Sequence, residues 1–143
     1  MSPSDYETIN RKVERIYEDL ARLEKEKNLS LEEYLTDYDK QLIIERLLEK
    51  IVGRILDINY HILSKEFKIL PDDYGKSFEK LGRNMNIDVS FIDEIKKSAG
   101  TRNALVHEYD DLDLTRVYSA FQKSLTQVPK YLDLILKKLD ERK

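Results

Sequence analysis

Four residues in the last third of the chain combine groups that bind an anion with groups that move a proton. They are Arg102, Asn103, His107 and Tyr109, in the run Ala99-Gly-Thr-Arg-Asn-Ala-Leu-Val-His-Glu-Tyr109. A guanidinium holds an anion through two N–H groups at once and does not lose its charge. An imidazole titrates near neutrality and can accept or return a proton. On a helix of ~100° per residue, Phe91, Ile95, Ala99, Val106 and Tyr109 share one side, and Arg102 falls in the middle of that apolar stripe. A charge there is costly unless it is paired or faces a cleft. Asn103 and His107 are four residues apart and stand one above the other on an adjoining face. The four side chains are therefore expected to border one groove, provided that Gly100 does not interrupt the helix. The same residues also fit a plainer reading, in which Arg102 pairs with a buried carboxylate such as Glu45 or Asp57 and His107 is a satisfied structural histidine.

The elements that must position these groups are helices. The 143-residue chain holds only four Gly and three Pro, so breakers are few, and its 41% hydrophobic content is enough for a core. Length and composition predict one all-α domain over 1–143, an antiparallel bundle of five or six helices. Ser4 with Glu7 reads as a capping box ahead of Ile9, Val13, Ile16, Leu20 and Leu23, a helix ending near Asn28. Ser30 with Glu33 is a second box, opening a short helix with Leu31 and Leu35. Asp37 to Asp39 is a turn or a new cap. From Lys40 the apolar set runs from Leu42 to Leu63 and is wider than one stripe, which predicts a central helix or an oligomer interface. Gly53 inside it implies close approach by a neighbouring helix.

Pro71 is expected to start the next helix, which carries Tyr74, Phe78 and Leu81. Asp88 is a good N-cap for a helix from Val89 to His107. Asp113 caps a last helix from Leu114 to Leu139, where Pro129 is expected to kink the axis. Tyr6, Tyr17, Tyr60 and Tyr118 sit at helical spacing and read as core, and His61 reads as structural.

Charge and composition remove several functions. The net charge is −3, with residues 1–50 at −4 and residues 51–102 at +1. That excludes an unselective nucleic-acid coat and leaves room for a local basic cleft. No cysteine is present, so thiol nucleophiles and thiolate zinc sites are excluded, and with two histidines no metal and no cofactor are expected. Met1 to Lys12 shows no apolar signal region, and no apolar run approaches the roughly 18 residues of a membrane span. A cytoplasmic protein without membrane contact is the expectation.

The run Arg102-Asn-Ala-Leu-Val-His107-Glu-Tyr109, followed by an Asp-rich turn and Asp113-Leu-Thr-Arg-Val-Tyr118, resembles the HepT-like family of the HEPN superfamily. That family carries an Arg-x4-His-x-Tyr motif. Ile44-Glu45-Arg46-Leu47-Leu48, Asp57-Ile58 with His61-Ile62-Leu63, and Pro71-x-x-Tyr74 with Phe78 and Leu81 are similar to its preceding helices. The resemblance covers about 38–139, with 1–36 as the less typical N-terminal helices.

The resemblance implies a metal-independent endoribonuclease toxin of a type VII HepT/MNT toxin–antitoxin system, with tRNA as the expected RNA. In that role His107 takes the 2′-OH proton and Arg102 holds the phosphate as charge develops. Asn103 orients one or the other, and Tyr109 supports the substrate. One motif histidine per chain is insufficient for separate acid and base roles. A symmetric homodimer would bring two Arg102 and two His107 into one cleft, where the family places its site. The 40–66 helix and the Phe91/Ile95/Val106 stripe are candidate contact surfaces, with the monomer's own core as the other use. Lys96 and Lys97 would add local positive charge beside Arg102. The resemblance further implies that a cognate MNT-type nucleotidyltransferase adenylylates Tyr109 and silences the nuclease. Two other readings of the sequence stay open: a non-catalytic helical module that binds a nucleotidyltransferase or RNA, and a purely structural bundle.

Overall fold

The computed structural model describes residues 1–143 apart from Tyr74, and of Tyr109 it describes the backbone only. Among the described residues all regular structure is helical: α1 (Pro3–Glu24), α2 (Leu31–Thr36), α3 (Tyr38–Lys65), α4 (Ser77–Asn84), α5 (Val89–Ile95), α6 (Lys97–His107), a 3₁₀ turn (Tyr109–Asp111) and α7 (Leu114–Glu141). None of these helices is long and apolar enough to cross a membrane.

Side-chain caps set most of the starts. The Ser30–Glu33 box opens α2 as expected, and Asp88 and Asp113 cap α5 and α7. Asp37 accepts from the Lys40 amide at 3.1 Å, so α3 begins at Tyr38, ahead of Lys40. The box on α1 lies earlier than Ser4–Glu7: Ser2 and Asp5 exchange the two bonds, with Pro3 between them. Pro3 has no N–H to satisfy and its φ is already helical, so the first turn forms around it.

Helix α3 is central and touches α1, α2, α4, α6 and α7. Its apolar residues from Ile44 to Leu63 are buried against these neighbours, while Leu42 and Ile43 remain about half exposed. Phe91 and Ile95 are buried in the same core, and Val106 is half-buried. The wide apolar set and most of the second stripe are thus consumed by the chain's own core.

Two polar clusters lock the helices in register. The buried Tyr131 hydroxyl on α7 donates to Asn59 Oδ1 on α3, and Asn59 Nδ2 donates to Ser77 Oγ on α4 at 3.1 Å. Phe78 and Phe91 flank the Tyr131 ring at 5.2 and 6.5 Å. On the other side of α3, the buried Asp19 carboxylate of α1 receives Arg54 at 2.6 Å, Arg22 at 2.9 Å and Lys50 at 3.4 Å. Burial alone would raise this carboxyl, but the hydrogen bond from Arg54 and the charges of Lys50 and Arg54 hold it below the usual carboxylate range.

Two expectations need correction. Pro71 is buried in the connection before α4, and the helix starts only at Ser77. Asp73 captures the Lys76 amide at 2.8 Å, making a local turn that competes with an earlier helix start. The stretch from Val89 to His107 divides at Lys96. There the Ala99 amide bonds to the Lys96 carbonyl at 3.1 Å, one residue short of the α-helical partner. The Ser98 hydroxyl takes the Ile95 carbonyl instead, at 2.7 Å. That division gives seven α-helices among the described residues. Gly100 lies inside α6 without ending it, and α7 runs on through Pro129 to Glu141.

Candidate active site

The Arg-His segment lies on α6, which packs against α3, α5 and α7. Because the axis breaks at Lys96, the wheel for 89–109 is not continuous, and α6 buries Ala99, Thr101 and Leu105. Arg102 sits beside that buried face and is half-buried. Its side chain lies over Gly53 of α3: a Cβ on Gly53 would stand 3.6 Å from Nε and 3.8 Å from Nη2. The close approach implied by Gly53 is thus made by the Arg102 side chain.

Arg102 is not a structural ion-pair partner. Among the described residues it forms no ion pair, and its buried Nε has no hydrogen-bond partner. Glu45 stays on α3 without reaching it, its carboxyl pushed up by burial. Asp57 pairs with Lys12 at 3.6 Å. A buried N–H left without a partner costs about 1–3 kcal/mol, so this guanidinium is held ready for an acceptor that the described residues do not supply.

Arg102 opens into a cleft of ≈750 Å³ together with Asn103 and His107. Asn103 and His107 are both exposed, one helical turn apart, and His107 is the last residue of α6. Three of the four singled-out residues therefore border one groove. The fourth, Tyr109, lies beyond the helix: the Glu108 amide closes α6 on the Ala104 carbonyl at 2.8 Å, and Tyr109 opens the 3₁₀ turn. The helical stripe expected for Tyr109 thus ends before it; its side chain lies outside the described residues, as does Tyr74.

The opposite wall holds two carboxylates that the sequence did not single out, Asp73 and Glu79. Asp73 sits in a connection without periodicity, and Glu79 is one of many acidic residues on solvated faces. Glu79 is matched by Lys96 at 3.2 Å, and Lys97 pairs with Glu94 at 3.1 Å. The two lysines expected to strengthen the positive charge are therefore neutralised, and Arg102 is left as the open cation of the cleft. His61 is structural, as expected, with Nε2 at 3.1 Å from Asp5 on α1. Among the described residues no three His, Asp or Glu side chains gather in a way that holds a metal ion.

Fold and cleft together define a class: an all-helical protein with an Arg-x4-His cleft on its sixth helix. The sequence profile of the ribonuclease HepT-like family matches residues 6–135, so the chain belongs to that family and is an endoribonuclease by that membership. The match takes in most of α1 as well as the 38–139 region up to residue 135. The tRNA nuclease HepT of Aphanizomenon flos-aquae is 40% identical over 124 residues, which is 87% of this chain and 84% of that protein. The mRNA nuclease HepT of Shewanella oneidensis is 28% identical over 103 residues, 72% of this chain and 77% of that one. Among solved structures, a chain from the complex of tri-AMPylated Shewanella oneidensis HEPN toxin with MNT antitoxin superposes with a TM-score of 0.79 at 26% identity, covering 90% of this chain and 96% of its own.

Proposed function

We propose that this chain is the RNA-cleaving toxin of a HepT/MNT toxin–antitoxin pair, acting in the cytoplasm, with tRNA as its substrate. The observation that carries the reading is the unpaired Arg102 Nε, buried over Gly53 at the edge of the cleft that His107 also lines. The relative with the higher identity is a tRNA nuclease, which supports the choice of RNA.

The chemistry needs no metal. His107 takes the proton of a ribose 2′-OH, whose oxygen attacks the adjacent phosphorus. Arg102 spans two phosphate oxygens and offsets the negative charge that grows on the phosphorane. Asn103, on the same helix face, orients the imidazole or the phosphate. The departing 5′ oxygen needs a proton from an acid, and a second copy of the chain supplies it, His107 from one subunit serving as base and from the other as acid. The functional unit is thus a homodimer with a composite site.

Tyr109 is the site at which the MNT partner silences the enzyme. Adenylylation attaches a nucleotide phosphate two residues from His107, and its negative charge competes with RNA for Arg102. The tri-AMPylated state of the Shewanella oneidensis toxin supports this regulation.

Expression of the wild-type chain is expected to arrest growth, and His107→Ala and Arg102→Ala to abolish both arrest and RNA cleavage with helical content unchanged. Full cleavage by His107→Ala would sink the base assignment. Sedimentation of the purified protein is expected to show a dimer, and a monomer that still cleaves would remove the composite site. Intact mass after co-expression with the nucleotidyltransferase is expected to rise by whole adenylyl groups, and Tyr109→Phe to abolish the rise.

A further inference from the structure

Helix α7 carries a feature that neither the cleft nor the core uses. Between Leu114 and Leu139 its cations are Arg116, Lys123, Lys130, Lys137 and Lys138, against one carboxylate, Asp133, in a chain of net charge −3. Four of these cations recur every seven residues. Side chains at that spacing stay on one face of a helix and drift only about 20° per repeat. All four are exposed, and among the described residues none forms an ion pair. By contrast, Arg46, Lys50, Arg54, Lys96 and Lys97 are each matched by a carboxylate. The other face of α7 is fixed in the core by Val117, Phe121, Val128, Leu132 and Ile135, so the basic face cannot turn inward.

The stripe starts beside the cleft. Arg116 and Lys123 line, together with Arg102, a groove of ≈330 Å³ whose apolar walls include Val52 and Leu105. A Cβ at Gly100 would lie 2.9 Å from Arg116 Nη2, so that guanidinium crosses α6 within two residues of Arg102. Further along, Lys130 stands 4.5 Å above the Phe91 ring centre, which holds its ammonium at the surface. From Arg116 to Lys137 the row spans roughly 31 Å, with about 10 Å between successive cations.

We infer that this stripe is a sequence-independent RNA contact, a track for the phosphates that flank the one held by Arg102. The inference rests on the reading that RNA is cut at the Arg102–His107 cleft. Cations without carboxylate partners break no ion pair when a phosphate arrives, and each phosphate neutralised releases counterions. Continuity with Arg102 favours the nucleic acid over a protein partner, because the substrate strand must leave the cleft in some direction and this row of unpaired cations begins beside Arg102. The stripe therefore sets affinity and the position of the strand, while the cleft sets the chemistry.

The test uses full-length protein with His107→Ala, so that RNA is bound without being cut. Unfractionated tRNA and oligo(U) are titrated at several salt concentrations. Adding Lys123→Gln, Lys130→Gln and Lys137→Gln is expected to weaken binding by about tenfold or more and to lessen the slope of log affinity against log salt by about 2, at roughly 0.7 per single-strand contact. A control with Arg11→Gln, Arg15→Gln and Lys25→Gln removes the same charge from the α1 region and is expected to leave the slope as it was. An unchanged slope in the α7 variant, or an equal loss in the control, overturns the track. Intact RNA binding with loss of dimerisation or of nucleotidyltransferase binding assigns the stripe to a protein and overturns it too. If the wild-type chain cuts no RNA but the α7 slope still falls, the cleft reading fails and the track stands.

Discussion

At the scale of single residues, the site is built from a deliberate imbalance. Arg102 is placed over a glycine and given no acceptor, while most cations near it are matched. Gly53 leaves more room than the guanidinium needs. The nearest Arg102 atom would be 3.6 Å from a Cβ, an ordinary contact, so Gly53→Ala fits and removes a helix-interior glycine. It is expected to raise stability by up to about 1 kcal/mol and to keep cleavage. Gly53→Leu meets the guanidinium itself and is expected to lower cleavage toward the Arg102→Ala level, with thermal melting and a gel cleavage assay read side by side. A second imbalance has no such use. Among the described residues the buried Tyr34 hydroxyl has no hydrogen-bond partner, and burial together with the nearby Glu45 charge pushes its ionisation up. Tyr34→Phe is expected to stabilise the fold by about 1 kcal/mol in chemical denaturation. A destabilised Phe variant would show that the hydroxyl has a partner that matters.

At the scale of elements, packing decides what propensity leaves open. Gly82 on α4 faces Ile92 on α5 so closely that a Cβ would sit 2.7 Å from its Cγ1. Gly82→Ala is therefore expected to cost about 1–3 kcal/mol by overpacking, despite its better helix propensity. Calorimetry of the two glycine-to-alanine variants should move the melting temperature in opposite directions. The same distinction explains what was legible in the sequence. Caps written by Ser30, Asp88 and Asp113 act locally, so the starts of α2, α5 and α7 could be read in advance. The break at Lys96 depends on Ser98 taking a backbone carbonyl, which the apolar period does not encode. The groove shared by Arg102, Asn103 and His107 was legible because it follows from spacing on one helix. Asp73 and Glu79 were not, because they arrive from another connection and another helix through tertiary packing. The late start of α4 was hidden for a similar reason: Pro71 permits a helix, but Asp73 makes a turn that delays it.

At the scale of the molecule, the charge of −3 is a sum of unlike regions rather than a uniform property. Acid groups dominate the first 50 residues, while α7 carries five cations against three carboxylates. The two halves are joined through α3, which anchors α1 by the Asp19 cluster and α7 by the Tyr131–Asn59 bond. The Asp19 cluster makes this architecture sensitive to acid. Its folded carboxyl titrates below the unfolded value of about 3.9, so its contribution is fully present above that pH and is lost as pH falls through the folded value. Asp19→Asn removes the charge but keeps the shape, and leaves Arg22, Lys50 and Arg54 facing a neutral amide. These cations are partly exposed and can rehydrate, which limits the loss to about 1–3 kcal/mol at neutral pH. Denaturation curves of wild type and Asp19→Asn are expected to differ by that amount at neutral pH and to converge as the pH drops below about 4. A gap that persists undiminished in acid would show that the amide fails by geometry rather than by charge, and α1 would then be held to α3 chiefly by its apolar face.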